Sequence, residues 1–583
     1  MSADVEPAPN ETSRIEAAVY AENISLMVGK GNDHKALLRN ISLAVPEGAF
    51  ISIIGASGCG KSTLLKVLAG IAPITNGRIL LAGHPVETLR HQLPLAVGYL
   101  PQFGAFHGDL TVAEILDFAV ALRLPSSVPR STRDQWCEHV IDLARIRPFL
   151  HQKYRTLSGG QMRRIALAEE LIGDPAFLFL DELTSGLDPY SEHELMAWLK
   201  DLAHNHKKTI VLVTHAVSNL RLCDAVVLLH EGRLCFQGSF DQLLTSHGSE
   251  SIEAIYGGYQ HASLEGTFVG FDEDRSGELP APPAPHALNT APPPGAMSQL
   301  FTLLRRQNVI IWRDKATLWL HLALLVTFPA LVAIFDPKGP PQVPSNDLQL
   351  QTNVVQMLED ALNFAKDSVS AATLISGLAM FQVILLALTG ANNGAREIAK
   401  ERDVLEKELR AGLSPWAYVT TKGFLVLGLS FAQSFWMAAF VKMVCQLPGS
   451  FPLQFSIFFG TTLAMSVTCL AISSASKSPE RASLLAIYLV GLQLPLSGAV
   501  LALPALISGF CRPFIAAYWG WSGYLKTLDH ANNVEANKLY DLVSRSTNTY
   551  ISEFAICAIV LALHAVVCGV IAWMFVARVR PRT

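Results

Sequence analysis

Charge is scarce in this chain. Charged residues make up 16% of its 583 residues and hydrophobic ones 50%, against about 25% charged in a typical soluble domain. The mean hydropathy is +0.32. These values exclude a disordered polyelectrolyte and point to chain length buried in a membrane. An excess of base is missing too, because the formal net charge is -4. No nucleic-acid partner is therefore expected, since one would call for a strongly basic stripe. Cysteine is sparse at 9 residues, too few for a disulfide scaffold. Cys59, Cys137, Cys223 and Cys235 read as reduced cytosolic thiols. The opening stretch MSADVEPAPNETSR has neither a basic flank nor an apolar core, so no signal peptide or mitochondrial presequence is expected there.

What is present falls into two halves. Residues 20–255, after an N-terminal tail at 1–19, alternate short apolar runs with longer mixed-polarity runs, the pattern of an α/β domain. Phe50–Ile54, Ala96–Leu100, Phe177–Leu180, Ile210–Thr214 and Ala225–Leu229 read as strands, and Ala113–Leu122 and Gln161–Leu171 as helices. A linker at 256–297 follows, whose ELPAPPAPHALNTAPPPGA favours extended, solvated chain. Residues 298–583 then carry six apolar stretches, at about 317–335, 371–391, 423–443, 451–473, 482–503 and 554–577. Each approaches the ~20 residues a helix needs to cross a bilayer. The expected fold is thus an α/β domain fused to an all-α transmembrane domain of six spans.

Lys and Arg concentrate on one side of these spans, at Arg305, Arg306, Arg313 and Lys315, at 396–422, at Lys477 and Arg481, and at Arg578, Arg580 and Arg582. That bias places both termini and the first domain in the cytoplasm. The outer segment 504–552 contains FCRPFIAAYWGWSGYL. It reads equally as a partly re-entrant element or as a packed outer loop.

Residues 55–62, GASGCGKS, match the phosphate-loop pattern between a strand and a helix. Small residues at Gly55, Ala56, Ser57, Gly58, Cys59 and Gly60 let the backbone wrap phosphate, with N–H groups and a helix N-terminus turned toward negative charge. Lys61 is expected on the β- and γ-phosphates, and Ser62, beside Thr63, on Mg²⁺. The strand at 177–180 ends in Asp181 and Glu182. Asp181 is placed to hold Mg²⁺, and Glu182 to orient and deprotonate a water. His215 ends another strand, at the edge where α/β folds bind ligands.

With these residues in place the chain resembles an ATP-binding cassette (ABC) transporter. Residues 157–161 read LSGGQ, that family's signature. Gln102 matches its Q-loop, FLFLDE its Walker B strand, SGLD at 185–188 its D-loop, and His215 its switch histidine. The resemblance implies ATP and Mg²⁺ as cofactors, with Gln102 and Asp181 joining Ser62 at the metal. It further implies a head-to-tail dimer in which Ser158, Gly159, Gly160 and Gln161 of one chain, with Asp188 of the D-loop, close over ATP held by the other. Glu182, His215, Gln102 and Lys61 are then the catalytic set. Two positions depart from the family pattern. Val28 stands where many members stack an aromatic on adenine, with Tyr20 nearby, and Leu183 replaces the proline usual after the Walker B glutamate.

The order of the halves resembles the G subfamily, of white/pleiotropic drug resistance type, and ABC-2 fusions, with 394–412 like its cytoplasmic coupling helix. One copy of each half implies a half-transporter. The expectation is a homodimer, with a heterodimer as alternative, that exports a lipid, drug or other amphipathic cargo from a bacterial plasma membrane without a binding protein. The competing readings are an importer fusion and a mechanotransmitting membrane ATPase without cargo.

Overall fold

The computed structural model describes residues 17–29, 35–249 (except 93, 103 and 216), 292–335, 354–499, 503–529, 534–547 and 549–579, with isolated residues between 251 and 288. The chain divides into two compact units. The first is 1–302 with Lys407–Leu413 and the last four residues, and the second is 303–406 with 414–579.

The first unit holds two sheets. Strands β1 (Ala17–Val28), β2 (Lys35–Pro46), β4 (Asn76–Leu81) and β5 (His84–Pro85) form an antiparallel sheet in the order β2-β1-β4-β5. The larger sheet has the order β10-β9-β3-β8-β7-β6, from β3 (Phe50–Ile54), β6 (Val97–Leu100), β7 (Phe177–Asp181), β8 (Thr209–Val213), β9 (Ala225–His230) and β10 (Arg233–Gly238). All its pairs are parallel except β9 with β10. Every residue of β3, β7 and β8 is buried, as expected for continuous apolar strands covered on both faces. The covering helices are α1 (Lys61–Leu68), α2 (Val86–Gln92), α3 (Val112–Arg123), α4 (Arg130–Leu143), α5 (Gly159–Leu171), α6 (Pro189–His204) and α7 (Phe240–Ser246).

Most of the linker lies outside the described residues. Where it is described it is largely exposed chain without regular structure, as its composition leads one to expect, with a few residues held against the fold. Pro283 is buried and Leu288 packs against the first unit's core. Proline and alanine still present apolar surface, and that surface is laid on the sheet layer.

The C-terminal half is helical: α8 (Ala296–Arg313), α9 (Lys315–Phe335), α10 (Val354–Gly394), α11 (Arg402–Arg410), α12 (Pro415–Cys445), α13 (Phe451–Ala475), α14 (Pro479–Leu496), α15 (Ala505–Cys511), α16 (Ala516–Asp529), α17 (Val534–Ser546) and α18 (Phe554–Ala577). Among the described residues, 5 helices are long and apolar enough to cross a membrane; they correspond to α9, α10, α12, α13 and α18. The stretch expected at 482–503 is α14, an 18-residue helix with Pro495 near its end, and 500–502 fall outside the described residues. Helix α10 runs for 41 residues, about 60 Å at 1.5 Å per residue, well beyond the hydrocarbon thickness.

Helices α10 and α13 meet backbone to backbone. A Cβ on Gly390 would come within 2.5 Å of the Thr462 carbonyl, and one on Gly394 would overlap the Ser466 carbonyl. This small-xxx-small spacing permits close approach where burial of apolar surface gives no drive between helices. Gly394→Ala is expected to force the helices apart and cost about 1–3 kcal/mol, read as a lower melting temperature of the detergent-purified protein. Beside this contact, Asn393 and Gln433 exchange amide hydrogen bonds of 2.7 and 3.2 Å, and Ser430 pairs with Ser466 at 3.0 Å.

The outer segment packs into the helical half, which suits a partly re-entrant element and a packed outer loop alike. Helix α16 is buried along nearly its whole length. Its Ala517 N–H donates to Gln493, and the Trp521 indole donates to Ser376.

A buried charge also emerges that sequence reading assigned to a loop. Lys422, 1% exposed, sits 2.8 Å from Glu401 and 3.4 Å from Glu397 and donates to Gln307. Lys422→Met strands two acids and is expected to cost about 3–5 kcal/mol. The same melting measurement checks it, with Lys422→Arg as the charge-retaining control.

Candidate functional site

Sheet register assembles the site. In β3, β8, β7 and β6, Ile53 pairs with Val213, Asp181 with Val213, and Leu100 with Leu180. The C-terminal ends of these four strands therefore lie side by side. They deliver the 55–60 loop, His215, Asp181–Glu182 and Gln102 to one edge, where open α/β sheets place ligands.

The loop's shape depends on glycine at two points. Gly55 has φ +150°, and a Cβ there would overlap the Leu229 carbonyl. Gly60, at φ +106°, caps α1. The Lys61 ammonium lies 2.9 Å from the carbonyl oxygens of both Gly55 and Ala56. Ser62 and Thr63 follow in the first turn of α1. Ser57 and Gly58 lie on the exposed side of the loop, and Cys59 is buried. Burial pushes the Cys59 thiol up, against the pull of Lys61.

Ser62 Oγ donates to Asp181 Oδ1 at 2.8 Å. Burial raises the Asp181 carboxyl above its usual range, opposed by the Ser62 hydrogen bond and by Lys66. The next residue, Glu182, has φ +50°, a left-handed conformation that is uncommon for a side-chain-bearing residue. Its backbone N–H is fixed by the Val213 carbonyl at 2.9 Å. Both carboxylate oxygens are engaged: Gln102 Nε2 donates to Oε2 at 2.6 Å, and His215 Nε2 lies 3.2 Å from Oε1. Leu183, in place of the expected proline, is buried, and Thr184 bonds Thr214 at 2.7 Å. The loop after Glu182 is thus anchored to the β8 end by side chains.

The donor set of Ser62 hydroxyl, Asp181 carboxylate and Gln102 amide is all oxygen, which suits Mg²⁺. Among the described residues no cluster of three or more His, Cys, Asp or Glu forms a metal cage.

The signature residues form a separate exposed surface. Ser158 caps α5 in a reciprocal box with Gln161, with Ser158 N–H donating to Oε1 at 2.9 Å and Gln161 N–H to Oγ at 3.4 Å. The helix begins at Gly159, two residues before the sequence reading placed it. Asp188 caps α6 through Ser191 N–H at 3.0 Å, and this bond lowers its carboxyl. Among the described residues, Ser158, Gly159, Gly160 and Asp188 make no hydrogen bond or ion pair to Lys61, Ser62, Asp181 or Glu182. Tyr20 is buried, with the Arg78 guanidinium 5.8 Å from its ring centroid, and Met27 and Val28 are exposed at the C-terminal end of β1.

A nucleotide-binding cassette with a P-loop, a paired acid, a glutamine and a histidine at one sheet edge, joined to apolar helices, defines an ATPase working with a membrane domain. Comparison with known proteins agrees. The ABC transporter family profile matches residues 38–185, and the ABC-2 type transporter profile matches 298–527. The chain belongs to the ABC transporter family, in the layout of a half-transporter with the nucleotide domain first. It is 28% identical over 90% of its length to the ABC transporter ATP-binding/permease protein Rv1747 of Mycobacterium tuberculosis, of which it spans 60%. It is 32% identical to the Nod factor export ATP-binding protein I of Bradyrhizobium diazoefficiens, over 40% of this chain and 74% of that protein. It is 35% identical to ABC transporter G family member 24 of Dictyostelium discoideum, over 39% of this chain and 20% of that protein.

Proposed function

We propose that the protein is an ATP-driven exporter of a hydrophobic or amphipathic molecule, working as a homodimer in a bacterial plasma membrane with both termini in the cytoplasm. The observation that carries this reading is the union, in one chain, of a cassette edge holding Lys61, Ser62, Gln102, Asp181, Glu182 and His215 with an ABC-2 type membrane domain. Importers of this family usually separate motor from permease. The domain boundaries proposed are a cassette over 20–255 and a membrane domain over 298–583, joined by 256–297.

In this reading the P-loop N–H groups and Lys61 grip the β- and γ-phosphates. Ser62, Asp181 and Gln102 hold Mg²⁺, which when bound neutralises charge on the phosphate oxygens. Glu182 takes the proton of the attacking water. Gln102 and His215 fix its carboxylate from two sides, so the base is already oriented when substrate arrives. Ser158, Gly159, Gly160 and Gln161 of a second copy, with Asp188, complete the shell around the γ-phosphate through hydroxyl and backbone donors at a helix N-terminus. Closure and release of the paired cassettes then drive alternating access in the membrane halves, with 394–412 as the relay.

The test is reconstitution into liposomes with a panel of lipids and hydrophobic drugs. Outward-facing cassettes should consume external ATP and accumulate cargo inside. ATP-dependent loss of preloaded cargo from the same vesicles would mean import. Hydrolysis that no member of the panel stimulates, with no movement of any, would favour an ATPase without cargo.

A further inference from the structure

The first unit contains a buried ionic cluster that the nucleotide chemistry does not use. It forms where Lys407–Leu413 packs into that unit. Lys407 is 5% exposed. Its ammonium lies 2.5 Å from Glu169 Oε2, donates to the Ala105 carbonyl at 2.9 Å, and stands 3.6 Å over the Phe106 ring. Tyr154 also packs against the Phe106 ring, at 4.5 Å between centroids. Glu169 divides its carboxylate, giving Oε2 to Lys407 and Oε1 to Arg123, which also pairs with Glu170 at 3.0 Å. Burial opposes the Arg123 charge, but Glu170 and Glu169 outweigh it and hold the guanidinium firmly protonated. Arg123, Glu169, Glu170 and Lys407 thus make a neutral set of four charges, each under 10% exposed.

The cluster lies a short span of chain from Gln102, the residue that donates to Glu182. Ala105 and Phe106 follow Gln102 by three and four residues. On the other side, Tyr99 of β6 precedes it by three, and the Arg410 guanidinium sits 5.3 Å from the Tyr99 ring. The same helical segment therefore grips the chain before and after the glutamine.

We propose that Lys407 is a positioning residue for ATP hydrolysis, which pins the 105–106 backbone and ring so that the Gln102 amide is held on the Glu182 carboxylate. It touches neither nucleotide nor water; it acts through Gln102. A desolvated cation bound at once by a carboxylate, a carbonyl and a ring face tolerates little displacement. A shift of about 1 Å in a group that orients a base can cost up to ~100-fold in rate. The inference deepens the mechanism proposed above and rests on it.

The test uses full-length protein in lipid nanodiscs, measuring kcat and KM for ATP together with the melting temperature. Lys407→Met is expected to lower kcat about tenfold or more with KM for ATP within twofold of wild type. Lys407→Arg, which keeps a cation between Glu169 and Phe106, should retain most of the rate. Phe106→Leu, which removes the ring face and leaves the ion pair, should show the same split between kcat and KM. In a Gln102→Ala background Lys407→Met should cause little further loss, because the group it positions is already gone. The proposal is overturned if Lys407→Met and Phe106→Leu keep wild-type kcat, if Lys407→Arg is as impaired as Lys407→Met, or if the loss persists undiminished without Gln102. Wild-type protein that hydrolyses no ATP would instead overturn the underlying mechanism.

Discussion

Glu182→Gln is expected to lower kcat for ATP hydrolysis by about 10²–10⁴-fold, the range a positioned general base supplies. The substitution keeps the size and the hydrogen-bonding reach of the side chain. It removes the capacity to take a proton and turns one of the two acceptor oxygens into a donor, so that Gln102 must flip or His215 change tautomer to keep both contacts. Glu182 also sits at φ +50°, so any side chain except glycine pays a backbone strain of order 1–3 kcal/mol there. Gln pays the same strain as Glu. The melting temperature should therefore stay close to wild type, and lost rate can be read as lost chemistry. ATP binding, which the P-loop and Lys61 provide, should persist in an equilibrium binding measurement. Turnover equal to wild type would remove Glu182 from the role of base. Gln102→Ala and His215→Ala should each do less, because either one leaves the other still holding one carboxylate oxygen. The measurement for these two is kcat beside that of Glu182→Gln.

The sequence made some of this site legible and hid the rest, for reasons that differ by residue. The 55–62 string, FLFLDE and LSGGQ carry their chemistry in local spacing, because a phosphate loop and a strand-terminal acid are short-range objects. The strands were readable for the same reason: Leu178–Leu180 of β7 and Val211–Val213 of β8 are continuous apolar runs, as burial on both faces calls for. The cap at Ser158 was present in the letters, since Ser-x-x-Gln is a capping box. Reading it would have started α5 at Gly159. By contrast, the joint hold of Gln102 and His215 on Glu182 exists only because β6, β7 and β8 are neighbours in register. Nothing in linear order says that residues 102, 182 and 215 converge on one carboxylate. The burial of α16 was undecided for a related reason. Its aromatics suit a re-entrant element and a packed outer loop equally, and the partners that bury it, Gln493 and Ser376, lie on helices distant in sequence. Lys407 and Lys422 looked like charges of a cytoplasmic loop. Their acids are remote in sequence, 238 positions away for Lys407 and Glu169 and 25 for Lys422 and Glu397, so composition could report only that charges of both signs were present.

A mixture of two inactive chains should recover activity, and this is the most direct consequence of keeping the signature apart from the phosphate loop. One chain carries Glu182→Gln and retains its signature. The other carries Gly159→Asp and retains Glu182. A Cβ at Gly159 meets nothing within 4 Å, so the second substitution should leave the fold intact. It sets a carboxylate where the γ-phosphate is expected to dock, and like charges at hydrogen-bond distance repel strongly once water is excluded. Homodimers of either variant should hydrolyse ATP only at background. In a mixed dimer, the Glu182→Gln chain lends its intact Ser158–Gln161 surface to the Glu182 of its partner, and one complete site is restored. Mixed dimers isolated through two different affinity tags should therefore turn over at roughly half the wild-type rate per dimer, as the two-fold symmetry of two equivalent sites requires. If each chain closed its own signature over its own phosphate loop, every combination would stay inactive. The measurement thus separates a site built by two copies from a site built by one, and it does so without knowledge of the cargo.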